Sequence, residues 1–333
     1  MKKIRQLSLF TFLCLGAIFS LPTFAQDESI VLDPDTGNYI ITFRSTFPSR
    51  ELHRVVFVPA TKIDPTVKSK FKLTSDQHIR YEYKVKNGPN SKQPLIGLRF
   101  IASKADRASQ VAPKGWRASM IPNIVDTRVR VNWGYEELEE DASAGLQPGR
   151  NQSGFSVGSP DLPGIDVVRL NGASPVFGVP DEGPAMDSEV GKQLNQLTAN
   201  DFVPRHAAIP LIPVPNPFDA AAVLTSMQKH VNQDMVSMNL IDPAFAPQLD
   251  RLFQTAIAAA KGGNTVALKG NLKDLRQMLK REHADVDQED EDWDKDGDRK
   301  DKEKDKSRLI DKLAAKVLDF DLKYIQKRLG DND

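Results

Sequence analysis

From Tyr39 to about Phe177 apolar side chains recur at every second position, the spacing that puts alternate residues on one face of an extended strand. The clearest run is Ile79-Arg80-Tyr81-Glu82-Tyr83-Lys84-Val85, closed by the turn sequence Asn87-Gly88-Pro89. A second is Arg128-Val129-Arg130-Val131-Asn132-Trp133, and shorter ones span Tyr39 to Phe43, Val55 to Val58, Leu95 to Ile101 and Phe155 to Val157. Short strands at turn-punctuated intervals, with no helical pattern between them, predict an antiparallel β-sandwich of immunoglobulin-like type over residues 26–180. Trp116 and Trp133 are then expected in its core or rim, with a sugar-stacking platform as the alternative use.

The pattern lapses over residues 181–218, which hold Pro204, Pro210, Pro213, Pro215 and Pro217. Closely spaced prolines fix φ and predict a semi-rigid Pro-rich linker. After Asp219 the period becomes helical. Asp219 is placed to cap a helix reaching about Asn239, Asp242-Pro243 to start a second that stops at Gly262-Gly263, and Asn264 to cap a third carrying Val266, Leu268, Leu272, Leu275 and Leu279, weakened by Gly270. A last helix, from about Ser307 to Leu329, puts Ile310, Leu313, Val317, Phe320 and Tyr324 on one stripe. Together they predict a C-terminal three- to four-helix bundle over residues 219–333, interrupted by a charged insertion at 282–306.

In this last third, Asn239-Leu240-Ile241-Asp242, Leu249-Asp250-Arg251-Leu252, Ala256 to Ala260, Gly263-Asn264, Leu272, Leu275, Leu313-Ala314 and Ile325 together resemble the FIMAH helical module of secreted bacterial proteins. The resemblance implies a non-catalytic accessory or surface-interaction role. The charged insertion between the third and fourth helices departs from it.

The N-terminus refines the address. Lys2, Lys3 and Arg5 precede an apolar run from Leu7 to Leu21 and then Thr23-Phe24-Ala25, the layout of a secretory signal peptide over residues 1–25 cleaved near Ala25. The run is shorter than the roughly 20 residues a spanning helix needs. A mature chain from Gln26 would hold no cysteine, because Cys14 lies inside the signal, and this excludes disulfides and thiolate chemistry. The expected location is the bacterial periplasm or cell exterior. Forty-five basic residues balance forty-five acidic ones, so no global charge draws the chain to nucleic acid or to an anionic membrane.

Within the charged insertion, Asp292, Asp294, Asp296 and Asp298 with Glu303 at the twelfth position have EF-hand loop spacing, and Gly297 suits the sharp turn at the sixth. These residues could hold Ca²⁺, Asp298 through its carbonyl. Arg299 at the normally aliphatic eighth position and the acidic run before Asp292 depart from the pattern. Gly154-Phe155-Ser156-Val157-Gly158 matches a nucleophile elbow with Ser156 as nucleophile, but the following Ser159-Pro160-Asp161-Leu162-Pro163-Gly164 does not start a helix. His53, His78, His206, His230 and His283 show no zincin spacing, and no phosphate-binding glycine loop is visible. The leading expectation is an exported, non-catalytic binding or structural protein whose partner is a surface protein or glycan. A calcium-binding protein and a Ser156 hydrolase are the alternatives.

Overall fold

The computed structural model describes residues 28–45, 51–74, 78–123, 126–136, 145–174, 183–283 and 309–330. It divides into two compact units, residues 1–56 with 177–194 and residues 57–176 with 195–333. The signal peptide expected over 1–25 lies outside the described residues.

The first unit contains a three-stranded antiparallel sheet. β1 (Ser29–Leu32) and β2 (Tyr39–Arg44) form a hairpin running from Ser29 opposite Thr42 to Leu32 opposite Tyr39. Its turn is closed by the Gly37 N–H donating to the Asp33 carbonyl at 2.7 Å, with Gly37 at φ 64°, where glycine carries no steric cost. β3 (Leu52–Phe57) flanks β2 on the other side.

The second unit holds two larger antiparallel sheets. Its strands are β4 (Pro65–Leu73), β5 (Ile79–Asn87), β6 (Leu95–Ala102), β7 (Asp106–Val111), β8 (Trp116–Pro122), β9 (Val129–Tyr135), β10 (Asn151–Ser159) and β11 (Leu162–Gly172). After α1 (Glu189–Ala199), which spans the sequence boundary of the units, comes β12 (Val203–Ile212). One sheet has the order β4-β5-β10-β7 and the other β12-β11-β6-β9-β8. The chain thus crosses from β6 to the edge strand β7 of the opposite sheet, then returns for the β8–β9 hairpin.

An aromatic cluster joins the facing sheets. Tyr83 and Phe155 from the four-stranded sheet meet Phe100, Trp133 and Trp116 from the five-stranded one, with ring centroids 4.9 to 5.9 Å apart. This is the predicted sandwich. Trp133 is fully buried and its indole N–H donates to the Val111 carbonyl at 2.8 Å, while Trp116 is 8% exposed. Both tryptophans are core residues.

The proline-rich stretch is not a spacer throughout. Residues 203–212 form β12, which pairs with β11 from Leu162 opposite Ile212 to Leu170 opposite Val203. Pro204 and Pro210 are tolerated because β12 is the edge of its sheet, where a missing N–H breaks no ladder on the outer side. β12 also ties the sandwich shut: Ala208 N–H donates to Ser69 Oγ at 2.9 Å and Arg205 Nε to the Pro65 carbonyl at 2.6 Å.

Four further helices follow. Asp219 caps α2 (Ala220–His230), its carboxylate accepting the Ala221 and Ala222 N–H groups at 2.9 and 3.1 Å. α2 passes into a π-helical turn, Val231–Met235, and the helical stretch ends at Asn239 with φ 58°. Asp242 does not start the next helix, since its carboxylate accepts the Ala244 N–H within a preceding turn and α3 (Ala246–Lys261) begins later. Asn264 caps α4 (Thr265–Glu282) as expected. Asp311 caps α5 (Lys312–Arg328), and Ile310, expected on the stripe of this helix, lies outside it, bridged to Ile241.

α5 is buried on more than the one predicted stripe, because it packs against α4 and also against β11 and β12. Its Asp319 accepts from Arg276 of α4 at 2.9 Å, and Arg276 in turn donates to Gln326 at 2.9 Å. The expected modular boundaries, sandwich 26–180 and bundle 219–333, therefore give way to one unit in which sandwich strands and C-terminal helices share a continuous hydrophobic core.

Candidate functional site

β11, β6 and β9 are neighbours in the middle of the five-stranded sheet. Alternation sends Leu98, Phe100, Val131, Trp133, Val168 and Leu170 into the core and leaves the intervening residues on the outer face. Three of these are arginines. Arg169 stands directly across from Arg99, and Arg99 directly across from Asn132, while Arg130, opposite Ile101, is diagonal to Arg99. Cross-strand partners on one face are close enough to interact, and like charges placed opposite each other are unfavourable.

Nearby Arg117 pairs with Glu136 and Arg128 with Asp126, but among the described residues no carboxylate pairs with Arg99, Arg130 or Arg169. Phe202, just before β12, supports two of them: its ring centroid is 4.5 Å from the Arg169 guanidinium carbon and 5.6 Å from that of Arg99. Such cation–π seating holds the side chains while sparing their N–H donors. Arg99 Nε is buried with no hydrogen-bond partner among the described residues. Burial first, and then the Arg169 and Arg130 charges, lower the Arg99 pKa from its usual range. The arrangement is a cationic row with no carboxylate partner among the described residues, half-buried at Arg99 and exposed at Arg130 and Arg169, which chemically can accept an oxyanion.

The residues singled out in the sequence fare differently. Asp292, Asp294, Asp296, Asp298 and Glu303 lie outside the described residues. Among the described residues no group of three or more His, Cys, Asp or Glu side chains is placed to hold a metal. Ser156 lies mid-strand in β10, paired on one side with Glu82 and on the other with Val111, and is 2% exposed. Its Oγ accepts from Arg80 at 3.1 Å. The Gly154 to Gly158 pattern is thus strand and not the strand-to-helix turn that an elbow requires.

Sequence reasoning passed over Arg99, Arg130, Arg169 and Phe202. Arg99 and Arg130 stand at polar positions of predicted strands, but their juxtaposition with Arg169 depends on a strand register that no pattern in one segment reveals.

No family model matches the chain, which leaves the FIMAH resemblance without support, and no curated protein matches it. Among solved structures the chain is similar to an uncharacterized protein from Nocardia farcinica whose crystal structure is described as revealing an immunoglobulin-like fold. The identity is 13%, the match covers 42% of this chain and 96% of that one, and the TM-score is 0.25.

Proposed function

We propose that this chain is an exported, non-catalytic binding protein of the bacterial periplasm or cell surface, and that it binds through the outer face of the five-stranded sheet. The observation that carries the reading is the unpaired cross-strand neighbours Arg99 and Arg169, both seated on Phe202. The basic, apolar and small-residue succession from Lys2 to Ala25 supports export.

A chain with a formal net charge of zero has no general affinity for a polyanion, so retention on a heparin matrix at low salt tests the local patch. The triple substitution Arg99→Gln, Arg130→Gln, Arg169→Gln is expected to abolish retention. Removing three charges from α4, through Lys273→Gln, Lys280→Gln and Arg281→Gln, should leave it. Equal loss in both variants, or no retention of the native chain, refutes the reading.

The EF-hand spacing from Asp292 to Glu303 favours a second, calcium-dependent reading of the same protein. Calorimetric titration of Ca²⁺ is expected to give heat that disappears in the Asp292→Ala, Glu303→Ala double variant. Absence of heat up to several millimolar, about the weakest range of extracellular sites, removes it.

A further inference from the structure

We infer that the Arg99–Arg169 pair is a subsite for a tetrahedral oxyanion, the phosphate or sulfate group of an esterified ligand, with Arg130 flanking it. The inference rests on the binding role proposed for this sheet face. Directly opposed residues of an antiparallel pair place their side chains about 5 Å apart at the Cβ atoms, and diagonal ones about 7–8 Å. Arg99 and Arg169 are thus cross-strand neighbours whose guanidinium groups both lie over the Phe202 ring, within reach of one shared anion, and Arg130 stands on the diagonal position beside them.

The shape and charge of that gap select the ligand. A planar carboxylate has two oxygens and one charge, enough for a single bidentate fork. A tetrahedral oxyanion offers three oxygens in directions that two forks can share; a phosphate monoester, a dianion at about pH 8, also matches the Arg99 and Arg169 cations in charge, whereas a sulfate ester matches in shape and carries a single charge. Arg99 Nε, buried and without a partner among the described residues, is a further donor on the same side chain. The Phe202 ring beneath both cations keeps the pair from splaying apart in the absence of an anion. Asn132, which faces Arg99 across the next ladder, adds a neutral amide beside the gap; its Nδ2 donates to Ser119 Oγ at 3.1 Å, which fixes its orientation.

The test is calorimetric titration of the chain lacking residues 1–25 at about pH 8, where both inorganic phosphate and a phosphate monoester are mainly dianions. The probes are inorganic phosphate, inorganic sulfate and, as a dicarboxylate control, succinate. Binding of phosphate or sulfate is expected, weakened about tenfold or more in Arg99→Gln and in Arg169→Gln, with succinate clearly weaker. Phosphate preferred over sulfate identifies a phosphate ester as the source, and the reverse order a sulfate ester. Neither oxyanion binding up to roughly 10 mM overturns the inference. So does binding that both variants retain in full. Succinate binding as tightly as either oxyanion overturns the tetrahedral preference but leaves the anion-binding role of the face intact. Failure of the heparin retention as well removes both. Arg130→Gln, which alters only the flanking position, should weaken binding less than either central substitution.

Discussion

Phe320 of α5 meets Phe71 of β4 edge-on, with ring centroids 5.0 Å apart. Phe71 continues inward to Tyr81 at 6.5 Å, so an aromatic path runs from the helical layer into the sandwich. Such offset pairs add to the stabilisation from buried area. The helices and the sandwich should therefore unfold together, contrary to the sequence expectation of two separable modules. Phe320→Ala is expected to cost roughly 2 kcal/mol, less than a fully buried Phe because the ring is only partly covered. Scanning calorimetry should show residues 57–176 and 195–333 melting in one transition that shifts down as a whole in this variant. A helical transition that moves alone would contradict the shared core.

His230 provides a second tie between the layers. The Ile165 backbone N–H of β11 donates to His230 Nε2 at 3.1 Å, and His230 Nδ1 lies 2.8 Å from Asp234 Oδ2. Because Nε2 accepts, the ring proton is on Nδ1 and points to the carboxylate. The π-helical turn that follows His230 lies beside this bond. His230→Ala leaves a buried N–H without an acceptor, at a cost of about 2 kcal/mol. Faster amide hydrogen exchange at Ile165, beyond that of β11 residues elsewhere, is the specific readout. Uniform acceleration along β11 would mean only global destabilisation.

Tyr81 and Tyr83 are two positions apart on β5 and equally buried, yet only one hydroxyl is used. Tyr81 donates to the Asp161 carbonyl at 2.7 Å, whereas Tyr83 Oη has no partner among the described residues. Removing an unpaired buried hydroxyl relieves a desolvation cost, and removing a paired one loses a bond. Tyr83→Phe should be neutral or stabilising, and Tyr81→Phe should destabilise by about 1 kcal/mol. Chemical denaturation of both variants decides it, and equal losses would argue against the assignment.

How legible these features were depends on what each element shows to solvent. β5 announces itself because its buried residues alternate with charged ones along its whole length. β7 has no buried residue and so no pattern to find. β4 carries the alternation, but Ser69 interrupts its apolar row, and that serine is the latch for Ala208. β12 is hidden by prolines that only its edge position permits. β11 opens with Leu162-Pro163-Gly164, which reads as a turn until the partner strand is known. The arginine row inherits this difficulty, since Arg169 is on β11 and its meeting with Arg99 is a fact of register alone.

Asp321 of α5 gives the clearest pH dependence. It is 1% exposed, and its Oδ1 has no hydrogen-bond partner among the described residues. Burial drives its pKa well above the usual carboxylate value. Asp161, at the β10–β11 corner, shifts the same way through burial, against the opposing hydrogen bonds from Ser103 and the Val214 N–H. A folded-state pKa above the unfolded one means that the folded chain holds the proton more tightly. The associated stability is complete below the unfolded value of about 3.9 and is lost as pH rises through that value toward the folded pKa. Asp321→Asn removes the titration while keeping the shape. Its melting temperature should match the native chain near pH 4 and exceed it increasingly toward neutrality. A difference that stays constant with pH would show that Asp321 is not the group responsible.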